Sequence, residues 1–416
     1  MARFRSALPL LILALLASAD LAAQSNPRPR PRGIGPEVRV DTLTGDSKPN
    51  CPVIAVAPDH SAEVAWSYTR STPYDTYARH FTPDLTPTDP GQVEIGPAGS
   101  PSNPSVVYSL SPVPGGFQAI TALIEHFTVL RPYLRRLDAS GKPVSPLVPV
   151  GNGGLQWLWP GPGGTVYAGT YQASQKRLVV QRYQPDGQPA GPAITVNSRP
   201  VDVPSLELAP AGGAGDFVAV WTGFSLARRG APARQVVRGR VFRHNRPQGQ
   251  DFDVNVNPGG TAGNFPIFGG LTLAVNPATR GFTAAWTVET GGNAGKIQGR
   301  TFDAQGRPAS PERSIFGDLS FFVSLAYDDA GNVLALWNTP LTPRSEILGR
   351  LFRSDLTPIG VPFEPWSEAS GDFNGPICAR AVWAGDSWRI AWTAETSKGG
   401  PRAVFVRRFT RGTPGS

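Results

Sequence analysis

One pattern constrains this chain more than any other, a β-type run ending in Trp that recurs along almost its whole length. It reads SAEVAW (61–66), GDFVAVW (215–221), RGFTAAW (280–286), GNVLALW (331–337) and DSWRIAW (386–392). Two degenerate copies without the Trp, GGFQAIT (115–121) and GGTVYAGT (163–170), stand where the spacing requires them. Each copy follows an apolar segment, such as VIAVA (53–57), LQWLW (155–159), SLELA (205–209) or CARAV (378–382). Each is followed by a second signature: ARHFT (78–82), LRRLD (134–138), VQRYQ (180–184), GRVFR (239–243), GRTFD (299–303), GRLFR (349–353) or VRRFT (406–410). A turn such as DASGKP, PDGQP or DAQGRP and a further run such as QVEI, AITV or FDVN complete the unit. Four short strands per unit of 46 to 65 residues, repeated seven times, is the pattern of propeller blades. A single four-stranded sheet with two apolar faces buries both only by stacking against neighbours around an axis.

Composition agrees. The 47 Gly and 44 Pro among 416 residues are too dense for helices of 12 or more residues, while 40% apolar residues, 10 Trp and 20 Phe supply a large core. The fold expected is all-β: a seven-bladed propeller of four-stranded antiparallel blades. Approximate blade limits are 51–103, 104–154, 155–203, 204–266, 267–321, 322–376 and 377–416. The last unit runs out of chain after VRRFT, and PEVRVD (36–41) resembles the missing outer strand. Residues 36–43 are therefore expected to complete the last blade and close the ring, which removes exposed sheet edges. Cys51 and Cys378 precede their units' Trp by 15 and 14 residues, so they fall on neighbouring inner strands of a closed ring and are expected to form a disulfide.

The repeat resembles that of secreted bacterial β-propeller proteins whose units read approximately GGFxVxW, then GxRF with DxxGxP, then FxVN. GDFVAVW, GRVFR and DFDVN of the fourth unit are the nearest copies, and the second and third units depart most. The resemblance implies the fold and brings no catalytic residues with it.

Residues 1–19 read as a secretory signal, with Arg3 and Arg5, an apolar run from Ala7 to Ala17 and a small-residue site at Ala17-Ser18-Ala19; a second cut could follow Ala23. The apolar run is too short to span a membrane. Residues 20–36 form a Pro/Arg-rich linker, extended and solvated, with contact to an anionic surface as the alternative to a plain spacer. The propeller itself is assigned to 37–416. Net charge is +8, but five Arg lie in the first 32 residues, and without them the balance is about +3, too little to indicate a nucleic-acid binder. The expected location is extracellular or periplasmic, as a monomer without a membrane span.

Phosphate-loop, HExxH, nucleophile-elbow and EF-hand motifs are all missing, and the four His are not at metal-ligand spacings. No catalytic residue, metal or cofactor is assigned. The Arg two positions before the aromatic of the second signature (Arg79, Arg135, Arg240, Arg300, Arg350, Arg407) and the repeated Trp read as packing residues. Binding is expected on the face where units connect and where the loop after each Trp emerges. The candidates there are Tyr68, Arg70, Trp157, Trp159, Arg228, Arg229, Arg234, Glu289 and Glu395. The function expected is a binding or scaffolding module for an extracellular protein or polysaccharide. The alternative is a glycan-active hydrolase whose carboxylates would be Glu289 and Glu395, since that chemistry uses a pair.

Overall fold

Apolar runs of four to ten residues cut by Gly, Pro, Asp and Asn leave this chain nothing to build but hairpins, and the computed structural model is a succession of them. It describes residues 29–42, 48–68, 74–126, 129–151, 156–201, 205–224, 234–256, 259–261, 270–291, 294–316, 321–339, 346–366, 378–396 and 401–412. Seven antiparallel sheets form a seven-bladed propeller, their inner strands being Val53–Val56, Ser105–Val113, Trp157–Pro160, Ser205–Pro210, Leu271–Val275, Phe321–Tyr327 and Cys378–Trp383. Each inner strand touches those of the blades before and after it, and the last touches the first. In blade 4 the outer position is split among Arg246–Pro247, Phe252–Asp253 and Gly259–Thr261, all paired with the third strand, Arg234–Arg243.

The core is divided among the blade interfaces. Among the described residues each apolar cluster spans two consecutive blades, and five contain one repeated Trp: Trp66, Trp221, Trp286, Trp337 and Trp392, all fully buried. The interfaces between blades 1 and 2 and between 2 and 3 have none, because Thr121 and Thr170 stand at the Trp position. Blade 3 compensates from its inner strand: the Trp159 ring lies over Gly169, where a Cβ would come within 3.0 Å of it.

The repeated Arg fastens blades together. Arg300 donates to Ser310 O in its own blade at 3.1 Å and to Val254 O of blade 4 at 3.3 Å, while its guanidinium lies 5.6 Å from the Phe302 centroid. Arg240 does the same with Gly249 O, Val196 O of blade 3 and Phe242, and Arg79 with Asp89 O, Val40 O of blade 7 and Phe81. Blade 3 has Gln181 at this position, and its amide takes over the bond to Gly191 O. Arg300→Met keeps the stem and orphans two carbonyls, so it should cost about 2 kcal/mol in urea unfolding; a loss below about 0.5 kcal/mol would contradict the clamp.

The N-terminal segment completes blade 7. Strand Gly33–Arg39 pairs with Arg402–Phe409, starting three residues earlier than PEVRVD and so taking in residues assigned above to the linker. A bulge between Ile34 and Val38 interrupts the register, beside Gly35 at φ +70°. Pairing continues past the strand: Val40 N donates to Val404 O at 2.7 Å, and buried Asp41 accepts Val404 N at 2.8 Å. A disulfide joins Cys51 to Cys378 with their Cα atoms 5.4 Å apart, tying blade 1 to blade 7. No described helix is long and apolar enough to cross a membrane.

The Asp residues of the hairpin turns act on backbone. Asp138 accepts Ser140 N and Lys142 N, Asp303 accepts Gln305 N and Arg307 N, and Asp186 accepts Gln188 N. Bonds from the backbone and hydroxyl of Thr357 hold Asp355 below the usual carboxylate range. These are turn-forming roles.

Candidate functional site

The inner strands surround the axis, and their register against the second strands sorts their side chains into levels. One level consists of the residues paired with the position just before the repeated Trp or its Thr substitute. These are Val53, Ser109, Trp157, Glu207, Thr272, Ser324 and Arg380, paired with Ala65, Ile120, Gly169, Val220, Ala285, Leu336 and Ala391. A single ring thus carries one carboxylate, one guanidinium, one indole and three hydroxyls. Glu207 and Arg380 sit on blades 4 and 7, on opposite walls of the channel.

Charge behaves there as it does in an enclosed space. Burial pushes the Glu207 carboxyl up to about 7, against the pull of its bond from Trp159 and of the Arg380 charge. Burial likewise depresses Arg380, with Glu207 working the other way. Water reaches the Arg380 side chain even so, as expected of a group that protein encircles along an open channel. Trp159 donates its indole N–H to Glu207 Oε2 at 3.1 Å across the blade 3–4 interface, which fixes the carboxylate against its wall. Trp157, half-buried, packs on the same interface one step toward the face where blades connect. An aromatic wall with a few convergent polar groups is the usual makeup of a small-ligand site.

The candidates from sequence fare unequally. Trp157 and Trp159 belong to the channel. Tyr68 is fully buried between blades 7 and 1 and meets Tyr77 edge-on at 5.8 Å, with burial raising its phenol; it is a packing residue, not a rim platform. Glu395 is buried and faces Arg402 at 3.8 Å across its own hairpin. Glu289 lies on the second strand of blade 5, so all of blade 6 stands between the strands of this proposed carboxylate pair. Arg234 begins the third strand of blade 4. Arg70, Arg228 and Arg229 lie outside the described residues.

Glu207 and Arg380 went unnoticed inside SLELA and CARAV, segments read only as apolar runs. Aligning the units on their Trp would have put both charges at one position, where the other units carry neutral residues.

A second buried acid lies elsewhere. Glu63, fully buried between blades 1 and 2, meets His80 Nδ1 at 3.0 Å under the turn at Gly141, where a Cβ would come within 2.5 Å of the carboxylate. Burial pushes Glu63 up to about 7; His80 opposes this, while Asp89 and Asp138 add to it. An unfolded Glu titrates near 4.3, so the folded state holds this proton more tightly. The resulting stabilisation is full below about pH 4, falls as pH rises and is gone above about 7, a change on the order of 3 kcal/mol. Urea midpoints of wild type relative to Glu63→Gln should therefore fall between pH 4.5 and 8, and parallel profiles would contradict the assignment.

No protein-family model matches the sequence, and no curated protein matches it. Among solved structures the chain is similar to a polysaccharide lyase of family PL25, an ulvan lyase bound to -[GlcA(1-4)Rha3S]-. The TM-score is 0.51 at 8% identity, over 90% of this chain and 96% of that one. It is also similar to Drosophila semaphorin 2a, with a TM-score of 0.51 at 11% identity over 91% and 76% of the two chains. Identities this low speak to the fold, and the fold is the seven-bladed β-propeller.

Proposed function

We propose that the protein is an exported binding module for extracellular polysaccharide, with the central channel as its recognition site. The observation that carries this reading is the ring that sets Glu207, held by Trp159, opposite Arg380 with Trp157 at the same level. Sugars present hydroxyls to such groups and a C–H face to indoles. Export is supported by the signal-like start and by a disulfide suited to an oxidising compartment. The propeller serves an ulvan lyase and a semaphorin alike, so the choice of ligand rests on the channel.

Affinity electrophoresis through gels carrying different polysaccharides tests this. The wild type should be retarded by at least one of them, and Trp157→Ala or Glu207→Ala should restore most of the free mobility with little change in melting temperature. Unretarded migration in every gel would overturn the reading.

One observation favours catalysis as a second reading: a carboxyl near 7 in an enclosed site suits general acid–base work at neutral pH. Hydrolysis of the usual kind needs a second carboxylate, and the ring carries one. New reducing ends appearing on a retained polysaccharide, and their loss in Glu207→Gln, would decide for the enzyme.

A further inference from the structure

Resting on the polysaccharide reading, we infer that the channel takes an acidic saccharide, whose carboxylate or sulfate is held by Arg380 while hydroxyls reach Glu207 on the opposite wall. Arg380 differs from the other interior cations. Arg79, Arg240 and Arg300 spend their donors on carbonyls of two blades, Arg389 reaches Pro83 O, and Arg408 meets Asp84 and Asp386. Around Arg380, among the described residues, no carboxylate comes within ion-pair distance, and its recorded bond is a long one, 3.4 Å, to the neighbouring Ala379 O. A guanidinium has five N–H donors, so most of the fork remains open to the channel.

Glu207 does not close that gap. It faces Arg380 from three blades away and is held to its own wall by the Trp159 indole, so the two charges sense each other across the axis without pairing. An anion arriving between the walls gains charge-assisted, two-point bonds to the guanidinium and offsets the cost of confining that charge. A cationic ligand would meet the reverse arrangement, a permanent positive charge opposite a carboxyl that burial leaves partly protonated at neutral pH. Thr272 and Ser324, at the same level between blades 4 and 7, supply neutral partners for ring hydroxyls.

The test is calorimetric titration of the full mature chain with oligogalacturonate, dextran sulfate oligomers and neutral maltoheptaose. The acidic ligands should bind at least ~10-fold more tightly than maltoheptaose. Arg380→Gln should erase that preference, and Arg380→Lys should keep part of it. Melting curves verify that the variants fold. Competition on the wild type requires no variant at all: free galacturonate should displace a bound acidic oligomer where galactose does not. Equal binding of neutral and acidic ligands, or displacement by galactose as effective as by galacturonate, overturns the acidic preference and leaves the polysaccharide reading standing. Failure of every saccharide to bind overturns both.

Discussion

A chain that starts at residue 43 is expected to lose on the order of 5 kcal/mol of stability and to self-associate. The truncation removes the outer strand of blade 7, Gly33–Arg39, together with Val40 and Asp41. Val40 is fully buried among Val404, Val406 and Trp66, and its loss alone takes about 2 kcal/mol of burial from the blade 7–1 interface. The ladder bonds to Val404 and Val406 disappear with it, at about 1 kcal/mol each. Arg79 loses its acceptor at Val40 O, so the damage reaches blade 1. The third strand, Arg402–Phe409, becomes an open edge, which is the usual template for strand pairing between copies. Light scattering after size exclusion should find oligomers where the full chain is monomeric. A monomer within about 1 kcal/mol of the full chain would mean that the ring does not depend on its N-terminal strand.

Opening the Cys51–Cys378 bridge should cost nearly as much. It closes a loop with a sequence separation of 327, for which the chain-entropy model gives an upper figure of about 6 kcal/mol. The effect acts by freeing the unfolded chain, so it should add to that of the strand deletion. Cys51→Ala with Cys378→Ala should lower the urea midpoint by several kcal/mol equivalents while the far-ultraviolet spectrum of the folded protein is unchanged. A midpoint shift under about 1 kcal/mol would show that the strand closure alone limits the unfolded ensemble. The neighbouring bond from Thr393 Oγ1 to Asn50 O, 2.9 Å, is the one weak tie between these two blades that survives beside the missing bridge.

Much of the architecture is legible in sequence because a propeller repeats its physics. The Trp run marks the second strand, the Arg two before an aromatic marks the third, and both repeat because every interface between blades poses the same packing problem. The cysteines could be paired by arithmetic for the same reason, since equal distances from the Trp mean equal levels in the ring. The functional residues are harder to read. Strand alternation says which side a residue takes, but an inner strand has a third environment, the channel, that period two does not encode. Glu207 therefore hid between Leu206 and Leu208, both buried on the blade 3 side, and Arg380 between two alanines. Tyr68 was misjudged in the opposite sense: two residues past a Trp it reads as a loop, yet it stays on the buried side next to Trp66 and Tyr77. The strand completing blade 7 was found from its sequence likeness, and its start was missed because Gly33 and Gly35 look like linker. Gly33 is in fact required, since a Cβ there would strike the Arg407 guanidinium.

The most direct measurement is a crystal structure of the mature protein with an oligogalacturonate. A sugar unit in the channel at the level of Trp157, its carboxylate on Arg380 and a hydroxyl on Glu207, is the expected result. Sugar bound on the outer faces of the blades, with none between Glu207 and Arg380, would contradict the channel as the recognition site.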